Sequence, residues 1–128
     1  MIIGIGTDLC DIERIEAALN RYGERFARRI LVDSELVRFQ GHAKPAGYLA
    51  KRFAAKEAFS KAWGTGIGEA VGWHDVAVAH DARGKPLIAP SSAMAEKFAT
   101  EKIVATHISL SDEDDHALAF VVLEKNPT

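Results

Sequence analysis

Hydrophobic and polar positions change their spacing along the chain, and each change predicts a new element. Residues 2–9 are apolar with glycines at alternate positions, which predicts a short buried strand ending at Thr7-Asp8. Asp11 is suited to cap the helix that follows. We therefore expect a strand that leads directly into an amphipathic helix, and the residues at helical spacing in it are Ile12, Ile15, Ala18 and Leu19.

Further helices are predicted in the middle of the chain. Gly23 ends the first helix, and a second short segment precedes a third that begins at Asp33 or Ser34 and that Gly41 ends. The strongest pattern runs from about residue 46 to residue 63, where an alanine recurs every fourth residue. Such a smooth stripe allows close packing, and it comprises Ala50, Ala54, Ala58 and Ala62.

The second half of the chain predicts strands around one more helix. A glycine-rich loop, 64–68, ends the long helix. Residues 75–80 alternate in polarity, and 87–89 form their hairpin partner across a turn. A helix from Ser91 or Ser92 then precedes two final strands, 104–110 and 117–124. Residues 1–128 are therefore expected to form one α+β domain, with helices first, antiparallel strands later, and the helices packed on an antiparallel sheet.

Composition narrows the class of protein. Hydrophobic residues make up 48% of the chain and charged residues 27%, as in a compact domain, and the net charge of −2 argues against a nucleic-acid binder. Cys10 is the single cysteine, which suits a reducing compartment, and we expect it to pack rather than to react. No basic segment opens the chain, and no apolar run approaches the ~20 residues of a membrane span. We expect a cytoplasmic protein without a membrane partner.

Two glycine motifs fail as nucleotide fingerprints. Gly4-Ile5-Gly6 would need its third glycine at Leu9, and no βαβ unit surrounds it. Gly84-Lys85 is followed by a proline and lacks the upstream glycine of a phosphate-binding P-loop. The five histidines show no metal-ligand spacing. His107, Ser109 and Ser111 alternate along one strand and share a face, which is either solvated or lines a ligand cleft.

Three charged residues are candidates for chemistry. Asp8 ends an apolar strand, where a carboxylate needs compensation, so it is a helix cap, a salt-bridge partner or a functional group. Glu57 and Lys61 share one face of the long helix with Phe53. A surface ion pair between them, worth about 0.3–0.5 kcal/mol, is the simplest interpretation. The alternative is a phosphate-handling site in which two carboxylates hold Mg²⁺, a lysine neutralises phosphate, and the glycine loop offers exposed backbone N–H groups.

Four blocks resemble the small bacterial holo-acyl-carrier-protein synthase family of phosphopantetheinyl transferases, over nearly the whole chain. The most specific block is Arg52 to Ala62, R-F-A-A-K-E-A-F-S-K-A, followed at once by Gly64-Thr65-Gly66. The others are Gly4 to Asp8 with Arg14, and H-I-S-L-S-D from His107 to Asp112. Many family members carry histidine where this chain has Asp112, which puts a histidine acid–base role there in doubt but not the activity.

The resemblance implies transfer of 4'-phosphopantetheine from coenzyme A to a serine of an acyl carrier protein, releasing adenosine 3',5'-bisphosphate, in support of fatty acid biosynthesis. It implies Asp8 and Glu57 as Mg²⁺ ligands and Lys61 on the phosphates, with these three as the catalytic set. Glu57 or a water on the metal would take the serine proton. It also implies a homotrimer with sites between subunits. The implied coenzyme A contacts are Lys44, Arg52, Lys61, Gly64, Thr65, Gly66, Lys85, Pro86 and Ser109.

Two rival functions remain open at this point. One is another Mg²⁺-dependent nucleotide pyrophosphate enzyme, which would need a carboxylate-rich helix such as E-x-x-E-E that the chain lacks. The other is a non-catalytic trimeric nucleotide-binding subunit.

Arginines in the first two helical segments are candidates for docking an acidic carrier. Arg14 follows Asp8 closely, and Phe26 beside Arg25 offers an apolar anchor among the charges. Acidic residues are interspersed, so a mixed solvated face is the competing interpretation. The predicted docking set is Arg14, Arg21, Arg25 and Phe26.

Overall fold

One long helix organises the protein, as its alanine pattern predicts. The computed structural model describes residues 1–127. The predicted elements are confirmed, with most boundaries shifted by one or two residues. In chain order they are β1 Ile2–Asp11, α1 Ile12–Tyr22, α2 Glu24–Ile30, α3 Asp33–Gln40, α4 Pro45–Trp63, β2 Val76–His80, β3 Pro86–Pro90, α5 Ser92–Glu101, β4 Ile103–Asp112 and β5 His116–Lys125.

The strands form two antiparallel sheets. One is a three-stranded sheet in the order β1-β5-β4, and the other is the β2-β3 hairpin. The first strand of the chain pairs with the last, from Ile2 opposite Glu124 to Asp11 opposite His116. The α+β prediction is therefore confirmed, and β1, which precedes all the helices, belongs to the same sheet as the late strands.

The glycines of β1 allow this strand to approach α4 very closely. A Cβ atom placed on Gly4 would lie 1.9 Å from the carbonyl oxygen of Ala62, and one on Gly6 would lie 1.9 Å from that of Ala58. No side chain fits at such distances, so the alternate glycines face the alanine stripe. This packing explains the motif that fails as a dinucleotide fingerprint, and it brings the end of β1 to the middle of α4.

Local signals for helix ends also hold. Asp11 caps α1 through a hydrogen bond from Glu13 N to Asp11 Oδ1 at 3.0 Å, and Gly23 ends that helix at a φ of 67°. Ser91 caps α5 in the same way. Ala50, Ala54, Ala58 and Ala62 are buried in the core between α4 and the sheet. Within residues 1–127, no helix is both long and apolar enough to span a membrane.

Candidate active site

Asp8 and Lys61 meet where β1 crosses α4. The Lys61 ammonium donates to Asp8 Oδ1 at 3.1 Å and to the carbonyl oxygen of Thr7 at 3.0 Å. Of the roles considered for Asp8, the salt bridge is confirmed and the helix cap is wrong, because Asp11 caps α1. The ion pair that Lys61 forms in residues 1–127 is with Asp8, and not with Glu57 on its own helix.

Glu57 lies one turn before Lys61 on the same face of α4. Burial raises the pKa of the Glu57 carboxyl, and the negative charge of Asp8 raises it further, while Lys61 lowers it. The two carboxylates are therefore close enough to repel each other. Two carboxylates are a donor set that suits Mg²⁺, which keeps waters and substrate phosphates as its other ligands. No cluster of three or more His, Cys, Asp or Glu side chains placed to hold a metal occurs in residues 1–127, so this pair would supply two ligands.

A cavity of about 420 Å³ opens beside the two carboxylates. Asp8 and Glu57 form one side, and Arg14 and Phe26 from the predicted docking set also line it. Two of the three catalytic candidates, Asp8 and Glu57, therefore share one cavity with half of the docking candidates. Its remaining walls are Leu9, Cys10, Asp11, Ile15, Ala18 and Phe53.

Cys10 lies in this cavity wall but is not equipped as a nucleophile. Its side chain is buried, and burial together with the charge of Asp8 raises the thiol pKa to about 11. The thiol stays protonated at neutral pH, and thiolate is the reactive form. The interpretation of Cys10 as a packing residue agrees with this environment.

Arg21 and Arg25 lie outside this cavity. Both are exposed, one in the last turn of α1 and one in α2, and Arg21 stacks over the ring of Tyr22 at 5.3 Å.

The glycine loop differs from the prediction in one respect. The backbone N–H groups of Gly64, Thr65 and Gly66 all point back to the carbonyl oxygen of Ser60, at 3.1, 3.2 and 3.1 Å. The expectation that these amides are exposed to a ligand is wrong, because they satisfy the carbonyl end of α4. Gly64 and Gly66 adopt positive φ angles of 104° and 72°, which explains the glycines.

Arg52 belongs to a second, basic region. Its side chain is buried, its guanidinium lies 3.9 Å from the Tyr48 ring centroid, and its Nε has no hydrogen-bond partner within residues 1–127. Burial lowers the pKa of His80, and the neighbouring charges of Arg52, Arg38 and Lys51 lower it further. Several cations therefore converge here, an environment that suits an anion.

The other predicted contacts lie away from the carboxylates. Lys44 precedes α4 and lines a separate cavity of about 780 Å³ beside α1. Lys85 and Pro86 lie at the β2-β3 turn, where Asp81 Oδ1 accepts a hydrogen bond from the Lys85 backbone N–H at 2.9 Å. One chain does not bring these residues to Asp8.

Ser109 lies on the opposite face of the three-stranded sheet from Asp8. It pairs with Phe120, whose partner on the other side is Thr7, and neighbouring residues of a strand point to opposite faces. His107 and Ser111 share the Ser109 face, as their alternation predicts, and His107 Nε2 is hydrogen-bonded to Glu124 Oε1. These polar side chains border an exposed apolar surface rather than the cavity.

A buried ion pair, which the sequence pattern did not predict, joins Lys56 and Glu35. The Lys56 ammonium donates to Glu35 Oε1 at 2.7 Å, and both side chains are almost fully buried, at 0% and 2% exposure. A lysine directly before Glu57, in a stretch of α4 that is otherwise alanine and phenylalanine, was the available signal. Its partner in α3 was not predictable from local spacing.

Comparison with known proteins identifies the family. The model of the 4'-phosphopantetheinyl transferase superfamily matches residues 4–121. A holo-acyl-carrier-protein synthase of Vibrio cholerae is 53% identical over 125 residues, which are 98% of this chain and 99% of that protein. The synthase structure from Neisseria meningitidis is 48% identical with a TM-score of 0.94, covering 98% of this chain and 100% of that one.

A third relative carries a ligand. The Bacillus anthracis holo-acyl-carrier-protein synthase, solved in complex with CoA (3',5'-ADP), is 39% identical with a TM-score of 0.83, covering 98% of this chain and 99% of that one. The matches span both the catalytic candidates and the sheet. The chain therefore belongs to the holo-acyl-carrier-protein synthase family within the 4'-phosphopantetheinyl transferase superfamily.

Proposed function

We propose that this protein is a transferase that moves 4'-phosphopantetheine from coenzyme A to a serine of an apo-acyl carrier protein. The observation that carries the proposal is that Asp8 and Glu57 line one cavity together with Arg14 and Phe26, while Lys61 pairs with Asp8 at 3.1 Å. This arrangement places charges for a pyrophosphate beside a surface suited to an acidic protein. Family membership supplies the substrates, since the relatives are holo-acyl-carrier-protein synthases.

Asp8 and Glu57 are the residues that would hold Mg²⁺. The negative charge of Asp8 raises the pKa of Glu57, and a cation bound by both carboxylates would relieve this repulsion. When bound, Mg²⁺ supplies positive charge that offsets the negative charge of the pyrophosphate as the leaving group departs.

Lys61 is the chain's own cation for the phosphates. Its ammonium is 49% exposed and makes two hydrogen bonds in residues 1–127, to Asp8 and Thr7. An ammonium has three N–H donors, so one remains for a phosphate oxygen. Asp8 and Thr7 also hold the side chain in place, which suits a reaction that depends on positioning and charge.

Glu57 is the chain's own candidate to accept the serine proton. It lines the same cavity as Arg14 and Phe26, where the carrier's serine would enter, so its carboxylate is placed to receive that proton. The serine oxygen then forms a bond to the β-phosphorus of coenzyme A, its proton moves to a Glu57 oxygen, and the bond from that phosphorus to the bridging oxygen breaks. Adenosine 3',5'-bisphosphate leaves with the electron pair.

The basic region around Arg52 is the candidate site for the nucleotide phosphates. The Arg52 guanidinium lies over the Tyr48 ring, and its Nε has no hydrogen-bond partner within residues 1–127, while Arg38 and Lys51 add positive charge. A planar guanidinium suits phosphate recognition. Lys44, Lys85, Pro86, Ser109 and the Gly64–Gly66 loop remain proposed contacts for the rest of coenzyme A.

We further propose that the protein is a trimer. The sheet face opposite α4 is apolar and exposed in the single chain, and such patches mark association surfaces. A neighbouring subunit on this face would bring the Ser109 row toward another chain's carboxylates, which would unite proposed contacts that one chain holds apart. The exposed side chains on this face include Ile5, Leu9, Leu118 and Phe120.

The assembly is tested by light scattering on Phe120→Glu. A charge at the centre of the apolar face should convert the trimer to a monomer with little activity. Val37→Glu is the matched control, because Val37 is also an exposed apolar residue but lies on α3. A monomeric parent protein with full activity contradicts the shared site.

Carrier docking at Arg14, Arg21, Arg25 and Phe26 is tested by charge reversal. Arg14→Glu with Arg25→Glu should raise the KM for carrier, most at low salt, because rim charges act mainly on association and are screened over about 8 Å at physiological salt. The KM for coenzyme A should stay unchanged. Equal changes in both KM values would assign these arginines another role.

The function itself is tested by mass spectrometry of the carrier. Apo-carrier protein incubated with the protein, coenzyme A and Mg²⁺ should gain the mass of one phosphopantetheine on its serine. Cleavage of coenzyme A with an unmodified carrier would instead identify a pyrophosphate hydrolase. Binding of coenzyme A with neither product would identify a non-catalytic subunit.

A further inference from the structure

The buried Glu35–Lys56 pair takes no part in the proposed chemistry, yet Lys56 is the residue directly before Glu57. Its ammonium uses all three donors: to Glu35 Oε1 at 2.7 Å, to the Ile30 carbonyl oxygen at 2.6 Å and to the Trp73 carbonyl oxygen at 2.9 Å. These three hydrogen bonds therefore fix the direction of the Lys56 side chain.

Both carboxylate oxygens of Glu35 also accept hydrogen bonds from the backbone. Its Oε1 also accepts a hydrogen bond from Val32 N at 3.0 Å, and its Oε2 accepts one from Val78 N at 2.9 Å. The Tyr48 hydroxyl donates to the Glu35 carbonyl oxygen at 3.1 Å. The pair thus joins the end of α2, the start of α3, α4, β2 and the Trp73 loop at one buried point.

The hydrogen bonds of Lys56 fix the rotation of α4 about its axis, which the contact with β1 does not. The alanine stripe packed on Gly4 and Gly6 is smooth, so it brings α4 close without side chains that would resist rotation of the helix about its axis. Consecutive helix residues point about 100° apart. Fixing the direction of Lys56 therefore fixes the direction in which Glu57 leaves the helix.

A second connection runs through Trp73. Its carbonyl oxygen is held by Lys56, and its ring packs against Phe53 with centroids 4.9 Å apart. Phe53 lines the same cavity as Asp8 and Glu57. The Glu35–Lys56 pair is thereby linked both to Glu57 and to Phe53, an apolar residue that lines the same cavity.

We propose that Glu35 and Lys56 are positioning residues for the transfer reaction, which orient Glu57 toward Asp8 and hold Trp73 behind Phe53. This role rests on the proposed function. It differs from a contribution to stability alone, because misplacing a reacting group by about 1 Å can cost on the order of 100-fold in rate while the protein remains folded.

The test measures kcat and both KM values of Glu35→Gln and of the neutral double variant Glu35→Gln/Lys56→Met, well below their melting temperatures. Lys97→Met is the matched control, because the Lys97 ammonium also binds a loop carbonyl, Ala70 O at 2.6 Å, but from α5. We expect kcat to fall about tenfold or more in both variants with the KM for coenzyme A nearly unchanged. The control should keep its kcat.

Folded variants with the kcat of the control would overturn the positioning role. If both variants fail to fold, Trp73→Leu decides, because it keeps the carbonyl and both charged side chains but removes the ring behind Phe53. A raised KM for carrier in Trp73→Leu supports the proposal, and an unchanged KM overturns it. The parent protein is assayed alongside: a parent that transfers nothing refutes the proposed function, whereas loss of kcat only in the variants does not.

Discussion

Helix α4 carries two lysine–carboxylate pairs that differ in almost everything except their chemistry. Lys61 and Asp8 lie 3.1 Å apart, with side chains 49% and 16% exposed, whereas Lys56 and Glu35 lie 2.7 Å apart and are almost fully buried. The first ammonium keeps a donor for a ligand, and the second has none left. The exposed Lys61–Asp8 pair can therefore contact a substrate, whereas the buried Lys56–Glu35 pair can only hold neighbouring elements in place.

The energetic consequences are opposite. An exposed ion pair contributes about 0–1 kcal/mol to stability, so breaking the Asp8–Lys61 pair should cost little stability. Removing one partner of a buried pair leaves an uncompensated charge and costs about 3–5 kcal/mol. The comparison predicts that the exposed pair governs activity and that the buried pair governs folding as well as geometry.

The largest effect is expected from the carboxylates. Asp8→Asn and Glu57→Gln keep the shape of the site but remove the charges proposed to hold Mg²⁺, so kcat should fall by at least 10²–10³-fold, on the order of the loss of one electrostatic contact in other active sites. Turnover at limiting Mg²⁺ measures this, and melting temperatures verify folding. Asp114→Asn, in the exposed turn, is the control, and near-normal turnover in either variant removes that residue as a ligand.

The same substitution at the two lysines separates their roles. Lys56→Met should lower the free energy of unfolding by about 3–5 kcal/mol, since Glu35 is left buried without its partner. Lys61→Met should lower it by about 0–1 kcal/mol while abolishing transfer. Urea denaturation measures both. Equal destabilisation of the two variants would contradict the distinction drawn from burial.

The comparison also explains what could be predicted from sequence. Helical and strand periods, Asp11 as a cap and Gly23 as a stop are local signals, and they placed the elements within a few residues. The resemblance supplied Asp8, Glu57 and Lys61 as one set, and the structure brings them together at the β1–α4 crossing.

Contacts between segments that are distant in the chain could not be predicted from the sequence. Glu35 and Lys56 are 21 positions apart, and neither spacing nor propensity pairs them. The role of Gly4 and Gly6 required knowledge that β1 packs on α4. The exposed amides assigned to Gly64–Gly66 were wrong because the helix end uses them. The residues proposed for the nucleotide lie apart in the single chain, and the proposed trimer is the arrangement that would unite them.

A smaller effect should come from the strand that brings Asp8 to Lys61. Gly6→Ala places a methyl group 1.9 Å from the Ala58 carbonyl oxygen and pushes β1 away from α4. Overpacking of this kind costs about 1–3 kcal/mol, and activity should fall as Asp8 moves. Gly47→Ala in α4 meets no atom within 4 Å and should be neutral or stabilising. Thermal unfolding with activity assays tests both, and a Gly6→Ala protein with unchanged stability and turnover would refute the close-packed seam.

The smallest effect is expected from a third, fully solvated pair, Glu24 with Arg28. Glu24 accepts hydrogen bonds from Gln40 and Arg28, at 2.7 and 2.8 Å, and these bonds lower the pKa of its carboxyl below the ordinary 4.5. Because the folded-state pKa is lowered, the stabilisation is complete above pH 4.5 and is lost as the pH falls through the folded value. Glu24→Gln should therefore melt slightly below the parent protein at pH 7 and at the same temperature once the pH is well below 4. A melting difference that persists or grows in acid would mean that shape rather than charge makes the contribution. In that case the exposure of the three pairs would not determine how large an effect follows from breaking each of them.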